Sequence, residues 1–178
     1  MYSTSIQGSI LTWYLIVAFI KEKCNFVNEL SPEVLAQIYS NLVLTELAYG
    51  LSRFFNIHKD EFDPFNLIYF FIIQDIYFYF VHKYLHKYSM HYMHHTQFRP
   101  SCAWYADYRE HLLLNVGSVG ISYILFPNTN LVFHLIIYLQ IYTSVNGHTR
   151  GSKHHKHHLN SNKRYGSIYL IDYIANTD

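Results

Sequence analysis

Five apolar stretches dominate the chain, at residues 6–20, 34–55, 65–81, 112–126 and 131–145. Few polar positions recur on any face of them, which predicts helices that are apolar nearly all round rather than half-wet surface helices. A membrane crossing takes about 20 residues. The second and third stretches reach or approach that length. The other three measure about 22 Å as helix, which suits short spans, tilted pieces or hairpin arms. Start signals stand at Ser31-Pro32-Glu33 and at Asp63-Pro64, where a capping side chain precedes a proline fit for the first helical position. The run Phe126-Pro-Asn-Thr-Asn130 predicts a turn that folds the last two apolar arms into an antiparallel hairpin. The pattern as a whole predicts an all-α fold: an integral membrane helical bundle with a cytosolic helical cap. Residues 1–64 supply N-terminal membrane segments, and residues 65–178 form the second unit. A soluble all-helical protein with very apolar core helices is the alternative.

Residues 1–20 have the apolarity of a signal peptide but no basic start. Lys21-Glu-Lys23-Cys24-Asn25 is no small-residue cleavage site, so an uncleaved first membrane segment is expected. A membrane orientation follows from the basic residues. With the histidine-bearing loops on the cytosolic side, every Lys and Arg except Arg53 and Lys59 is cytosolic, which is the positive-inside pattern.

Composition narrows the function. Charged residues make up 14% and the formal net charge is +1, so no global field favours nucleic acid. Cys24 and Cys102 are far apart and lack metal-type spacing, and no disulfide framework is indicated. Histidine is the exception, at 13 residues. His82-Lys-Tyr-Leu-His86 is HxxxH, while His91-Tyr-Met-His94-His95 and His154-His-Lys-His157-His158 are both HxxHH. At this histidine content HxxHH is expected roughly 0.07 times by chance, and it occurs twice. Imidazole is the commonest transition-metal ligand. Eight such rings exceed the needs of one ion and suit two.

Helix geometry groups them. His82 and His86 share a face, and each trio is compact if helical. A single unbroken helix would point the first pair and the next trio to different sides, so a break is predicted at residues 88–90. His148, in Asn146-Gly-His148, is a further ligand or ligand-supporting residue. His155 falls off the shared face of its cluster. His58 reads as a solvated loop residue, His111 as interfacial and His134 as a hydrogen-bonded core residue. Asp75, a carboxylate in an apolar segment, needs a partner. It lies two turns before His82, where it would accept a proton from a ligating imidazole.

These elements resemble the fatty acid hydroxylase/sterol desaturase superfamily. The carriers are Asp75-x-x-x-Tyr79-x-x-His82-Lys-x-x-His86, the two HxxHH boxes, and Tyr165-Gly166 followed by Asp172. Ala106-Asp-Tyr-Arg-Glu110-His111 is similar to a further family segment, usually His-Pro-x-Glu. The resemblance covers roughly residues 66–178 and is similar in flavour to the four-methyl sterol oxidases. It implies a membrane-bound, non-haem di-iron oxygenase of the endoplasmic reticulum, with residues 65–178 as catalytic domain. Two iron ions would be held by His82, His86, His91, His94, His95, His148, His154, His157 and His158. The substrate would be a sterol or fatty acyl lipid, hydroxylated or desaturated, with electrons from a separate haem cytochrome or reductase. Asp107 stands where the family usually has histidine, so it is either a replacement iron ligand or a mark of lost activity. The chain is short for the family, which implies a reduced lid. A metal-handling membrane protein and a relative without turnover are the alternatives.

Overall fold

The computed structural model describes residues 7–22, 30–55 and 59–177. The start of the first apolar stretch, Cys24 and His58 lie outside them. Among the described residues the chain is all-α, with no strand. Helix α1 spans Gln7–Glu22, α2 Pro32–Phe54 and α3 Pro64–Lys87, followed by a short α4 at Tyr92–His95. A 3-10 turn at Pro100–Cys102 leads to α5, Tyr108–Glu110, which continues as a π-helix over His111–Val116 and then as α6, Gly117–Leu125. Helix α7 spans Asn130–Gly147, α8 Lys153–Leu159 and α9 Leu170–Ile174.

The expected starts are where the sequence places them. The Ser31 hydroxyl accepts from Val34 N–H, and the Asp63 carboxylate accepts from Phe65 and Asn66 N–H. Thr129 caps α7 through Val132 N–H. The break after α3 is present too. Ser89 takes a left-handed backbone (φ 57°), and Met90 N–H returns to Leu85 C=O at 2.9 Å. This closure is one that glycine usually serves. The turn lets α4 fold back beside the end of α3.

Of the five apolar stretches, only Pro64–Lys87 is, among the described residues, long and apolar enough for a full crossing. Helix α2 has the length, but Gln37, Asn41 and Thr45 form a polar row along it. Gln37 and Asn41 donate to the Ala106 carbonyl, Asn41 also donates to Trp104 C=O, and Thr45 faces His111. The row is spent inside the protein, holding the segment that leads to the π-helix. The opposite side of α2 is an exposed apolar stripe of Tyr39, Val43, Leu47, Leu51 and Phe54. A second such stripe runs along α7 at Leu131, Leu135, Leu139 and Tyr142.

The core lies between α1, α2 and α7, around Tyr14, Val17, Ile38, Leu42, Ile136 and Ile141. The last two apolar arms do not pack against each other as a hairpin. Helix α6 lies mainly on α3, and α7 on α1. Near the turn the arms meet through Tyr123 and Phe133, whose rings stack at 3.9 Å. Beyond that they splay around a cavity of about 300 Å³, whose wall includes Tyr49, Phe78, Val119, Gly120 and Ile137.

Candidate metal centre

Nine imidazoles converge where α3, α4, α7 and α8 end. They fall into two groups, in each of which the candidate ligand atoms lie within 4.8 Å of one another. His82, His86, His91, His95 and His157 form the first. His94, His148, His154 and His158 form the second. These are the nine residues expected from the sequence, and the partition follows helix geometry. In each HxxHH box the i, i+4 pair joins one group and the middle histidine joins the other. His91 and His95 go to the first group and His94 to the second, while His154 and His158 go to the second and His157 to the first. The groups adjoin, with His95 stacked on His158 at 4.3 Å.

Hydrogen bonds fix which ring nitrogen carries the proton. A backbone carbonyl only accepts, so an Nδ1 facing one must donate. His82 Nδ1 donates to Tyr165 C=O (2.8 Å), His94 Nδ1 to Tyr105 C=O (3.3 Å), His148 Nδ1 to Ser144 C=O (2.9 Å) and His157 Nδ1 to Lys163 C=O (2.5 Å). With Glu110 ionised, His91 Nδ1 donates to its carboxylate at 2.6 Å. In each of these neutral rings Nε2 is therefore a bare lone pair. Two such pairs face each other without a proton between them: His82 and His91 in the first group (2.9 Å), and His94 and His148 in the second (3.1 Å). Two lone pairs at that distance repel unless a cation binds both. The buried His95 Nε2 and His158 Nδ1 have no hydrogen-bond partner either.

The spacing fits an ion. Two imidazole nitrogens about 2.1 Å from one metal lie about 3.0 Å apart at a right angle and about 3.4 Å apart at the tetrahedral angle. The facing pairs, including His86–His157 and His94–His154, lie at 2.9 to 3.2 Å. Electrostatics agree. Burial and repulsion from neighbouring rings hold His91, His94 and His154 well below the ordinary 6.5, and His95 and His148 at about 4. Neutral imidazole is the form that binds metal. Burial pushes the Glu110 carboxyl up, and Asp107 adds to the shift. A cation on His91 would oppose that shift.

The outer support differs from expectation. Among the described residues Asp75 hydrogen-bonds no imidazole. Its carboxylate accepts from Ser167 Oγ, Ile168 N–H and Ile171 N–H at 2.8 to 3.2 Å, fastening the C-terminal segment to α3. Asp172 accepts from Tyr165 N–H, Gly166 N–H and Thr177 Oγ1. The two carboxylates thus hold the loop whose Tyr165 carbonyl orients His82. Gly166 is required between them, since a Cβ there would lie 2.7 Å from Asp75 Oδ1 and 2.8 Å from Asp172 Oδ2. Asp107 is not gathered with the imidazoles. It caps α5 through Arg109 N–H and lies outside both groups. Glu110, three residues on, is the carboxylate that reaches the site.

His111 is fully buried rather than interfacial, bonded to Thr45 and Asn115. His134 bonds Tyr49 and the Asn130 carbonyl, as expected of a structural histidine. His155 accepts from Gly151 N–H, stacks on Phe98 and joins neither group. A recess of about 100 Å³ borders the centre, lined by His82, His91, His94, His148, His154 and Glu110. It shares Phe78, Asn115 and Ser144 with the apolar cavity, so the two spaces adjoin. No family model, curated protein or solved structure matches this chain.

Proposed function

We propose that the protein is a membrane-bound, histidine-ligated di-iron oxygenase of the fatty acid hydroxylase/sterol desaturase type, acting on a lipid. The observation that carries this reading is one proton-free pair of facing imidazole nitrogens in each group. Two adjoining all-histidine donor sets suit two ions of borderline softness. Five imidazoles in the first group exceed the four ligands of a structural zinc site, and the near-right-angle spacing favours higher coordination; both favour iron.

Bound there, a pair of iron ions would activate O2 toward an unreactive C–H bond. The chain's own residues do the rest. Glu110 and the carbonyls of Tyr165, Tyr105, Ser144 and Lys163 hold the ring protons outward and the lone pairs inward. The adjoining apolar cavity accepts hydrocarbon and excludes water. The exposed stripes on α2 and α7, with the span Pro64–Lys87, support a multi-pass setting. The basic residues favour a cytosolic centre, and the family resemblance implies the endoplasmic reticulum. Residues 65–178 then carry every ligand, and residues 1–64 supply part of the cavity wall. Electrons come from a separate haem cytochrome or reductase.

The test is expression in a yeast lacking its own sterol and sphingolipid oxygenases, followed by lipid mass spectrometry. A species 16 mass units heavier or 2 lighter (roughly, one oxygen gained or two hydrogens lost), absent in His94→Ala and His157→Ala, supports the reading. A stable, metal-loaded protein with no new lipid overturns it.

A further inference from the structure

Asn115 stands on the wall shared by the apolar cavity and the histidine-lined recess. It lies in the π-helix His111–Val116, a conformation that is rare and recurs at functional sites. Its amide is held from behind. Asn115 Nδ2 donates to His111 Nδ1 at 3.2 Å, so the His111 proton sits on Nε2 and donates to Thr45 Oγ1 at 2.9 Å. The Thr45 hydroxyl in turn donates to Asn41 C=O at 3.0 Å. This chain runs one way and commits one N–H of Asn115, leaving Oδ1 and the second N–H for a ligand. His111 is fully buried and belongs to neither imidazole group.

The cavity specifies the rest of that ligand. Among the described residues no charged side chain lines it, so an anionic head would be desolvated without a partner. Its 300 Å³ is twice the roughly 150 Å³ that houses one benzene, which corresponds to about twelve carbons. Along α2 it runs from Thr45 to Phe55, about 15 Å, the length of such a chain when extended. Its far end opens beside the exposed Leu51, Phe55 and Ile124.

We propose that this cavity binds a single-chain lipid with a neutral oxygen head, a long-chain alcohol or carbonyl compound, and that Asn115 is the residue that positions the head. The inference rests on the oxygenase reading for its meaning, and it places the carbons beside the head nearest the imidazoles. A fused sterol ring system, with about 27 carbons in the whole molecule, exceeds the cavity more than twofold.

The test is equilibrium binding of radiolabelled 1-dodecanol to the full chain in detergent, with dodecane, dodecanoate and cholesterol as competitors. Dodecanol is expected to bind, dodecane to compete more weakly, and dodecanoate and cholesterol to compete least. Asn115→Leu lowers dodecanol affinity about tenfold, the worth of one good hydrogen bond, and leaves competition by dodecane unchanged. Gly120→Leu weakens alcohol and alkane alike while the protein stays folded, because a Cβ at Gly120 meets nothing within 4 Å and a helical glycine is replaced. Equal or better competition by cholesterol or dodecanoate overturns the proposal, as does an unchanged dodecanol affinity in folded Asn115→Leu. If Asn115→Leu does not fold, the competitor series and Gly120→Leu decide. Binding needs no metal, so metal-free protein answers this question, while product analysis answers the oxygenase one.

Discussion

Nε2 of His82 and Nε2 of His91 lie 2.9 Å apart, and with Glu110 ionised neither has a proton to give the other. Both protons are committed at Nδ1, to the Tyr165 carbonyl and to Glu110. The same arrangement recurs between His94 and His148 in the second group. A shared cation would relieve the repulsion in both places.

Glu110 orients His91 and balances the charge of whatever His91 binds. Replacing an acceptor behind a ligating imidazole costs about 10- to 100-fold in metal affinity. Glu110→Gln is therefore expected to weaken the first site by that factor and leave the second unchanged. Competition with a metal-sensitive dye, read separately for the two binding phases, measures it.

Asp75 and Asp172 act through the loop between them. Gly166→Ala forces a Cβ within 2.7 Å of a carboxylate oxygen and is expected to destabilise the protein by about 1–3 kcal/mol. Asp75→Asn places an amide N–H against donors it cannot accept from, and is expected to cost a similar amount. Both are read as a fall in unfolding midpoint. Both also weaken the first metal site, because the Tyr165 carbonyl is no longer held against His82. An unfolding midpoint equal to wild type in both variants contradicts this role.

The boxes were legible in the sequence because HxxHH is a local pattern, and the break at residues 88–90 followed from the need to bring two of them together. Helix starts at Ser31 and Asp63 were legible for the same local reason. The interleaving of each box across two sites follows from the i, i+4 rule. The partners of Asp75 lie more than 90 residues away, at Ser167, Ile168 and Ile171, and no spacing announces them. Glu110 sat in a segment singled out for Asp107, and only the fold shows which carboxylate reaches an imidazole. The π-helix has no signature in hydrophobic periodicity, so neither the place of Asn115 nor the burial of His111 is legible in the sequence. The turn between the splayed arms is local and predicts a hairpin, whereas the packing partners of each arm, α3 and α1, are distant.

Proton competition sets a pH limit. His95 and His148 sit at about 4 in the folded protein, against 6.5 ordinarily, and His91, His94 and His154 are also lowered. On acidification the unfolded chain binds protons first. Metal-free protein therefore keeps its full stability above about pH 6.5 and loses it progressively as pH falls toward 4. Thermal unfolding of chelator-treated protein across that range measures the slope. A stability flat between pH 6.5 and 4 contradicts the buried, neutral cluster.

A charge placed on the exposed stripe of α2 distinguishes a membrane face from an ordinary wet one. Leu47 is 60% exposed at its middle. Leu47→Arg is nearly neutral if that face meets water, and costs about 2.5–3.5 kcal/mol at the centre of a bilayer. A fall in the fraction of protein resisting alkaline extraction is expected. Extraction equal to wild type contradicts a lipid-facing α2.

The most direct test of the central claim is iron stoichiometry by elemental analysis after anaerobic reconstitution, in wild type and in two paired variants. Two ions per chain are expected in wild type. One is expected to remain in His82→Ala/His91→Ala, and one in His148→Ala/His154→Ala, with the two losses additive when combined. One ion or none in the wild type, or loss of both ions on disabling a single group, would contradict two separately built sites.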